Sequence, residues 1–379
     1  MNPMQFDTDV FVAGGGPSGL AAAIAAAEKG FRTVVADYAQ PPIDKACGEG
    51  LMPDAVAALR ALGVNIGPAD GFPFRGVRFL ESGASVDASF PSGGGWGVRR
   101  TVLHGLLLHR AAELGVRFLW RTQVTGLHPQ GVFLDGRILT SRWVIGADGP
   151  NSLVRRWAGL DRFRRNSYRI GLRRHYKASP WTDCMEVYWG PAFQAYVTPV
   201  RSPAGADEVC VALLSRRRDL RLQEALLQFP QLMAHLSGAE PTTPERGAAS
   251  ASRSLKQVYR GNVALIGDAS GSVDAITGEG LGQAFQQAPA LIAALESGRL
   301  AEYQALHWRI ARRPAMMGAL MLSLDNRAWL RRRVLHVLAG EKEIFARLLA
   351  MHVGKLSTAD FVTTGMLPLV LQILKPSAI

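Results

Sequence analysis

Residues 9–20 read DVFVAGGGPSGL. The apolar run Val10–Ala13 reads as a strand buried on both faces, it breaks at Gly14, and a small-residue helix over Leu20–Ala27 follows at once. Gly14, Gly16 and Gly19 form G-x-G-x-x-G in the strand–turn–helix context that gives this pattern meaning. Gly14 permits the tight turn, Gly16 lets a pyrophosphate approach the backbone, and Gly19 lets the helix pack close to the strand. Pro17 and Ser18 lie inside the same turn, where the unpaired N–H groups and positive end of the helix face phosphates. A second strand over Arg32–Ala36 ends in Asp37, about 20 residues past the glycines, where a carboxylate can accept from a ribose diol. Together these residues predict a dinucleotide site.

Moving outward, the chain of 379 residues exceeds the usual single-core size, and 48% apolar content supports a large interior. The formal charge is +12 and the pI about 10.1. The arginines are scattered, with clusters at Arg155–Arg174, Arg216–Arg221 and Arg331–Arg333, and no nucleic-acid module is found among them. Most of this charge reads as solvated surface, and the remainder suits NADPH, an acyl carrier protein or anionic lipid. Cys47, Cys184 and Cys210 are odd in number and fit no zinc spacing, which predicts a reducing cytoplasm. The N-terminus carries no signal-peptide pattern. No run reaches the roughly 18 apolar residues of a membrane span; the nearest, Phe361–Leu374, is interrupted by Gly365 and Pro368.

The pattern predicts a helix at Met52–Leu62, a hairpin of Val77–Leu80 with Ser85–Phe90, and a flexible loop at Gly93–Gly97 carrying Trp96. A helix over Arg100–Leu114, a strand over Val116–Trp120, a small meander (123–127, 132–134, 138–139) and a buried strand at Trp143–Ile145 follow. Runs at Tyr168–Leu172, Met185–Trp189, Gln194–Val197 and Val209–Leu214 predict a separate antiparallel sheet. Leu220–Phe229 reads as a helix, Val263–Ile266 as a buried strand and Gly280–Leu295 as a helix. From Leu300 the chain reads as helical, with breaks at Arg312-Arg313-Pro314 and Gly340.

Two further motifs end buried strands. Gly146-Ala147-Asp148-Gly149 is followed by Ser152 and Arg155, and Gly267-Asp268-Ala269 continues through Val273–Leu281. Asp268 can accept from a ribityl hydroxyl, and the helix beginning at Gly280 can direct its positive end at a flavin N1–C2=O edge. With GGGPSG and Asp37, the stretches GADGPNSLVR and GDASGSVDAITGEGLGQA resemble, in order, the three cofactor motifs of the FAD-dependent para-hydroxybenzoate hydroxylase fold. Lys45-Ala46-Cys47-Gly48-Glu49-Gly50 and Val273–Gly280 resemble most its geranylgeranyl-reductase-like branch.

The resemblance implies an α/β fold: an FAD-binding Rossmann-like domain of the glutathione-reductase type, an inserted antiparallel β-sheet substrate domain and a C-terminal helical region. The expected boundaries are 1–75, 98–158 and 256–297 for the FAD domain, 76–97 and 159–255 for the substrate domain, and 298–379 for the helices. It implies that Arg100 touches the FAD pyrophosphate, and that Lys45, Cys47, Gly48, Val124, Asp148, Gly149, Asp268, Gly278, Gly280 and Leu281 join Gly14, Gly16, Pro17, Ser18, Gly19 and Asp37 around FAD. NAD(P)H is expected as a transient co-substrate, since a second G-x-G-x-x-G is lacking.

The halogenase segment W-x-W-x-I-P is absent, and at the place comparable to the prenyl-reductase segment Y-x-W-x-F-P this chain has Tyr196-Val197-Thr198-Pro199. This favours a monooxygenase of secondary metabolism, hydroxylating an aromatic or polyketide-type molecule with O2 through a flavin C4a-hydroperoxide. His175 is the candidate base for a phenol, with Tyr196 and Pro199 beside it. The alternative is an isoprenoid C=C reductase, and Phe361–Leu374 with Arg331–Arg333 would then suit a peripheral membrane contact. No metal-ligand cluster is expected, and the oligomeric state is not legible.

Overall fold

The strand Thr8–Ala13 lies inside a mostly parallel sheet. It pairs in parallel with Arg137–Gly146 on one side and Thr33–Asp37 on the other. Arg117–Trp120 extends one edge and Val263–Leu265 the other, both in parallel. Val10, Phe11 and Val12 are completely buried, as a strand covered on both faces requires. The helix Pro17–Glu28 packs on it through Leu20–Ala26, whose small side chains let backbone approach backbone. The structure is a computed structural model that describes residues 6–374, with backbone only at 164–168, 251 and 374. Residues 1–5 and 375–379, the outer ends of the expected FAD domain and helical region, lie outside the described residues.

The second large sheet runs, in spatial order, through Gly271–Ser272, Arg246–Leu255, Phe163–Tyr176, Asp207–Ser215, Phe193–Arg201, Cys184–Gly190, Gly76–Glu81 and Ala84–Ser89. Its pairs are antiparallel except Cys184–Gly190 with Gly76–Glu81, which is parallel. Period-two alternation gives it two faces. Phe193, Ala195 and Val197 point to a core closed by the short helices Leu222–Leu226 and Pro230–His235. Tyr196 and Thr198 point the other way, toward the first sheet. The edge strands pack against the C-terminal helices, where the Phe79 ring meets Trp189 at 5.9 Å and Phe345 at 5.0 Å.

Several local expectations need correction. The glycine stretch with Trp96 is not a loop: Gly95–Gly97 is a strand between Gly50–Leu51 and Phe72–Phe74, and a Cβ at Gly97 would lie 1.7 Å from the Pro199 carbonyl oxygen. The last meander strand and the buried strand Trp143–Ile145 are one strand, Arg137–Gly146, shared between both pairings. Arg246–Leu255 (RGAASASRSL) was not anticipated as a strand, because its small and polar residues lack a strand's composition. The helix expected at Leu220–Phe229 spans only Leu222–Leu226. Pro314 does not break its helix, which runs Leu300–Asn326. Pro314, Met317, Met321 and Leu324 continue one buried stripe, and that packing offsets the about 3 kcal/mol a helical proline costs.

One buried ion network ties the second sheet to this helix. The Arg169 guanidinium donates to Asp325 at 2.6 Å and to Gln194 at 3.0 Å and faces Asp274 at 3.5 Å.

Candidate functional site

The glycine-rich turn shows which glycines are forced and which leave room. Gly14 has φ +113°, and a Cβ there would meet the Ala147 carbonyl oxygen at 2.4 Å. A Cβ at Gly19 would meet the Gly14 oxygen at 1.9 Å. At Gly16 a Cβ would meet nothing within 4 Å, which is the open approach a phosphate needs. Pro17 opens the helix, and Ser18 packs under Gly267, linking the first and third motifs. Asp37 ends its strand and accepts the Gly15 N–H at 2.7 Å and the Ala39 N–H at 2.8 Å. It therefore fixes the turn with lone pairs that a ribose would share.

Asp148 caps the short helix Leu153–Trp157, accepting from the N–H groups of Leu153 at 2.7 Å and Val154 at 3.1 Å. Its second oxygen is buried without a partner. Gly149 beside it has φ +81°. Arg100 begins the helix Arg100–Glu113, lines the cavity and keeps its buried Nε unpartnered. Asp268 lies in the tight turn after Val263–Leu265, with its carboxylate 3.2 Å from the Lys45 ammonium. An open glycine turn, two strand-end carboxylates and a cation with an unused donor fit a dinucleotide such as FAD.

Ser18 of the glycine-rich turn, Arg100, Lys45 and Asp268 border a cavity of about 270 Å³ between the two large sheets; Gly14, Gly16, Gly19, Asp37, Asp148 and Gly149 lie outside its lining. Of the expected residues, Ser18, Lys45, Cys47, Gly48, Arg100, Tyr196, Asp268, Gly278, Gly280 and Leu281 line it. The Tyr196 hydroxyl donates to the Ile276 carbonyl at 3.0 Å, and burial pushes its pKa up. Pro199 is buried in its strand and does not reach the cavity, and Val124 starts an outlying strand of the meander.

His175 does not reach the cavity either, which corrects its reading as a base that touches substrate. Its side chain is fully buried. The Arg173 guanidinium, which can only donate, faces Nδ1 at 3.1 Å, and the Thr243 hydroxyl is 2.9 Å from the same nitrogen. The ring proton therefore lies on Nε2, which donates to Glu49 at 2.7 Å. Glu49 has φ +60° and also accepts the backbone N–H of Arg100 at 2.9 Å. The pair thus clamps the Lys45–Gly50 loop onto both the second sheet and the helix of Arg100. Cys210 lies against it, so that Glu49, His175 and Cys210 bring three ligand-type atoms within 4.8 Å of one another. The carboxylate and imidazole already satisfy each other, burial pushes the thiol well up, and Arg99 stands 3.9 Å from Glu49. That chemistry suits a clamp and repels a cation.

Sequence reasoning passed over Glu49 as a site residue, although it lies inside the quoted KACGEG stretch. It also missed Thr198, whose hydroxyl donates to Gly48 at 2.8 Å, and the cavity floor of Gly171, Ala212, Ala248 and Ser250. The floor carries no motif; its signal is the absence of bulk.

The family model described as FAD binding domain matches residues 7–302. Menaquinone reductase of Mycobacterium tuberculosis is 32% identical over 319 residues, covering 77% of this chain and 75% of that protein. Digeranylgeranylglycerophospholipid reductase 1 of Methanothermobacter thermautotrophicus is 27% identical, covering 73% and 74%. Among solved structures, PqsL of Pseudomonas aeruginosa, described as a probable FAD-dependent monooxygenase, has TM-score 0.71 at 24% identity, covering 85% of this chain and 97% of that one. A geranylgeranyl bacteriochlorophyll reductase-like protein of Thermoplasma acidophilum has TM-score 0.72 at 20% identity, covering 97% and 98%. At those identities the solved structures speak for the fold, which is the one the three motifs imply. The chain belongs to the FAD-binding-domain family and is an FAD-dependent oxidoreductase.

Proposed function

We propose that this protein reduces a carbon–carbon double bond in an isoprenoid-bearing quinone or lipid, with electrons drawn from NAD(P)H. The observation that carries this reading is a second, apolar cavity of about 40 Å³ that shares Met52, Met185, Tyr196 and Thr277 with the main one. It runs between the second sheet and the C-terminal helices, past Phe79, Met317, Met321, Phe345 and Leu348. A methyl-branched isoprenoid tail fits such an apolar lining, and methionine side chains adapt to its shape. The curated relatives that act on menaquinone and on digeranylgeranyl lipids point the same way.

In this reading Gly16, Arg100 and the first turn of Pro17–Glu28 hold the pyrophosphate, and Asp37 and Asp268 accept from sugar and ribityl hydroxyls. Bound FAD supplies hydride chemistry. The small-residue floor and Tyr196 position the substrate, and the apolar walls exclude water. A substrate held in lipid also needs a route from the membrane. The exposed apolar face of Leu367, Val370 and Leu371, with Trp329, supports a peripheral contact.

A second reading is retained for one observation. Thr198 stands on the cavity wall in a segment that departs from the prenyl-reductase pattern, which suits a smaller, more polar aromatic substrate and hydroxylation with O2. One experiment separates the two. FAD-loaded enzyme is reduced without oxygen, then mixed with a polyunsaturated isoprenoid quinone. Reoxidation of the flavin with gain of two hydrogens in the isoprenoid chain, read by mass after air has returned any quinol to quinone, is the expected result. No reaction until O2 is admitted, with labelled oxygen entering a phenolic substrate, would overturn it in favour of hydroxylation.

A further inference from the structure

Glu279 lies between Gly278 and Gly280, two residues of the main cavity's wall, and immediately precedes the helix Gly280–Ser297. Its side chain turns inward and is 5% exposed. There it meets one charged or titratable group from each of three packed helices. Asp54 comes from Pro53–Ala61, Arg313 from Leu300–Asn326 and His352 from Lys342–His352. Arg313 commits its Nη2 to Asp54 at 2.6 Å. Toward Glu279 it offers only Nε, at 3.9 Å, and His352 offers Nδ1 at 3.6 Å. Neither Glu279 oxygen, nor Arg313 Nε, nor His352 Nδ1 makes a hydrogen bond.

Two carboxylates therefore compete for one guanidinium, and Asp54 has it. An ionised Glu279 would be a buried charge with no hydrogen-bonded counter-charge, which is costly. It would also sit where the positive end of the following helix is directed at the cavity, and would cancel that field. We propose that Glu279 is a positioning residue that stays protonated, so that the start of the helix Gly280–Ser297 keeps its positive potential for the reduced flavin. This rests on the placement of the flavin beside Gly278 and Gly280. Burial is the main cause that pushes Glu279 up to about 8 and His352 down to about 4, in keeping with a neutral acid beside a neutral imidazole.

The test is a potentiometric titration of the FAD-loaded protein and of Glu279→Gln over a series of pH values. Glutamine keeps the volume and cannot ionise. The midpoint potentials should coincide at neutral pH, and the wild-type value should fall below the variant's as pH rises past about 8, where Glu279 ionises. A constant offset that includes neutral pH would show a charged Glu279 and overturn the proposal. A second measurement does not need the variant or the flavin: infrared titration of wild-type protein carrying ¹³C-glutamate. A protonated-glutamate carbonyl band at neutral pH, lost at higher pH, is expected; its absence overturns the proposal. Should the band be present while the two potential profiles coincide at every pH, the flavin lies elsewhere, and the coupling is overturned.

Discussion

The glycine-rich turn of the cofactor site and the floor of the main cavity are built on opposite principles. At the cofactor end the backbone dictates the residue: Gly14 and Gly19 face carbonyl oxygens at 2.4 and 1.9 Å from where a Cβ would lie. At the substrate end the residue shapes the space. Gly171 has only ordinary contacts there, the nearest a carbonyl oxygen at 3.6 Å, and its Cβ position opens toward the cavity. A glycine of the first kind is required for folding. A glycine of the second kind leaves room for a ligand. The two kinds should fail differently.

The largest effect is expected at the cofactor end. Gly19→Val places atoms inside the Gly14 carbonyl, so the helix must move off the strand. The expected loss exceeds about 4 kcal/mol, the range kept for severe core disruption. The variant should retain no flavin and show a lost or broadened unfolding transition. A flavin spectrum equal to wild type would show that Gly19 is not required for the fold of the cofactor site.

Next comes the anchor of the substrate sheet. Arg169→Met leaves Asp274 in the interior without its guanidinium and Asp325 with only the half-exposed Arg216, at 3.2 Å, and Gln194. Breaking such a buried pair costs about 3–5 kcal/mol. Chemical denaturation should show that loss, while Gly16 and Asp37, in the other sheet, keep their geometry and the variant still binds FAD. Equal loss of FAD affinity would mean that the two sheets do not act as separable supports.

The contrast also explains what was legible. The cofactor end could be read because its constraints are local: three glycines, a strand-end Asp and two Gly-Asp turns are each set by a few neighbouring residues. The substrate end depends on pairing between distant strands. RGAASASRSL has the composition of a loop until Phe163–Tyr176 pairs with it. Its Ala248 and Ala249 then line the cavity. His175 could be picked out as chemically able, yet nothing local revealed that Glu49, 126 positions away in sequence, fills its Nε2. Pro314 was read as a break because local backbone rules are visible in sequence, whereas the buried stripe that overrides them is not.

A smaller effect is expected from the cluster between helices. Glu279 is raised in the fold from 4.5 to about 8, so its contribution is fully present below 4.5 and lost as pH rises toward 8. His352 is lowered from 6.5 to about 4, so its contribution is present above 6.5 and lost as pH falls toward 4. Between 4.5 and 6.5 the folded and unfolded pairs each hold one proton, and stability is level. Above that window the unfolded pair holds none and the folded pair one. Stability should therefore fall by about 2 kcal/mol between roughly pH 6.5 and 8. Urea unfolding of wild type against Glu279→Gln isolates this term, since glutamine removes the alkaline decline. Parallel curves would contradict it.

The smallest effect, and the one that bears most directly on the contrast, is at the floor. Gly171→Leu adds a side chain toward the cavity without forcing it into backbone, so the fold should hold. The unfolding free energy from chemical denaturation should change by less than about 1.5 kcal/mol, and FAD should stay bound, because the glycine turn and Asp268 belong to the other wall. What should change is the substrate. A filled floor leaves no place for a group that must lie between the sheets, so reduction of an isoprenoid substrate should drop at least about tenfold, equivalent to about 1.4 kcal/mol. Reduction of the flavin by NAD(P)H, measured without substrate, should be unaffected. If Gly171→Leu instead lost FAD together with activity, the floor would serve the cofactor, and the division between cofactor site and cavity floor would have to be redrawn with the flavin lying across the second sheet.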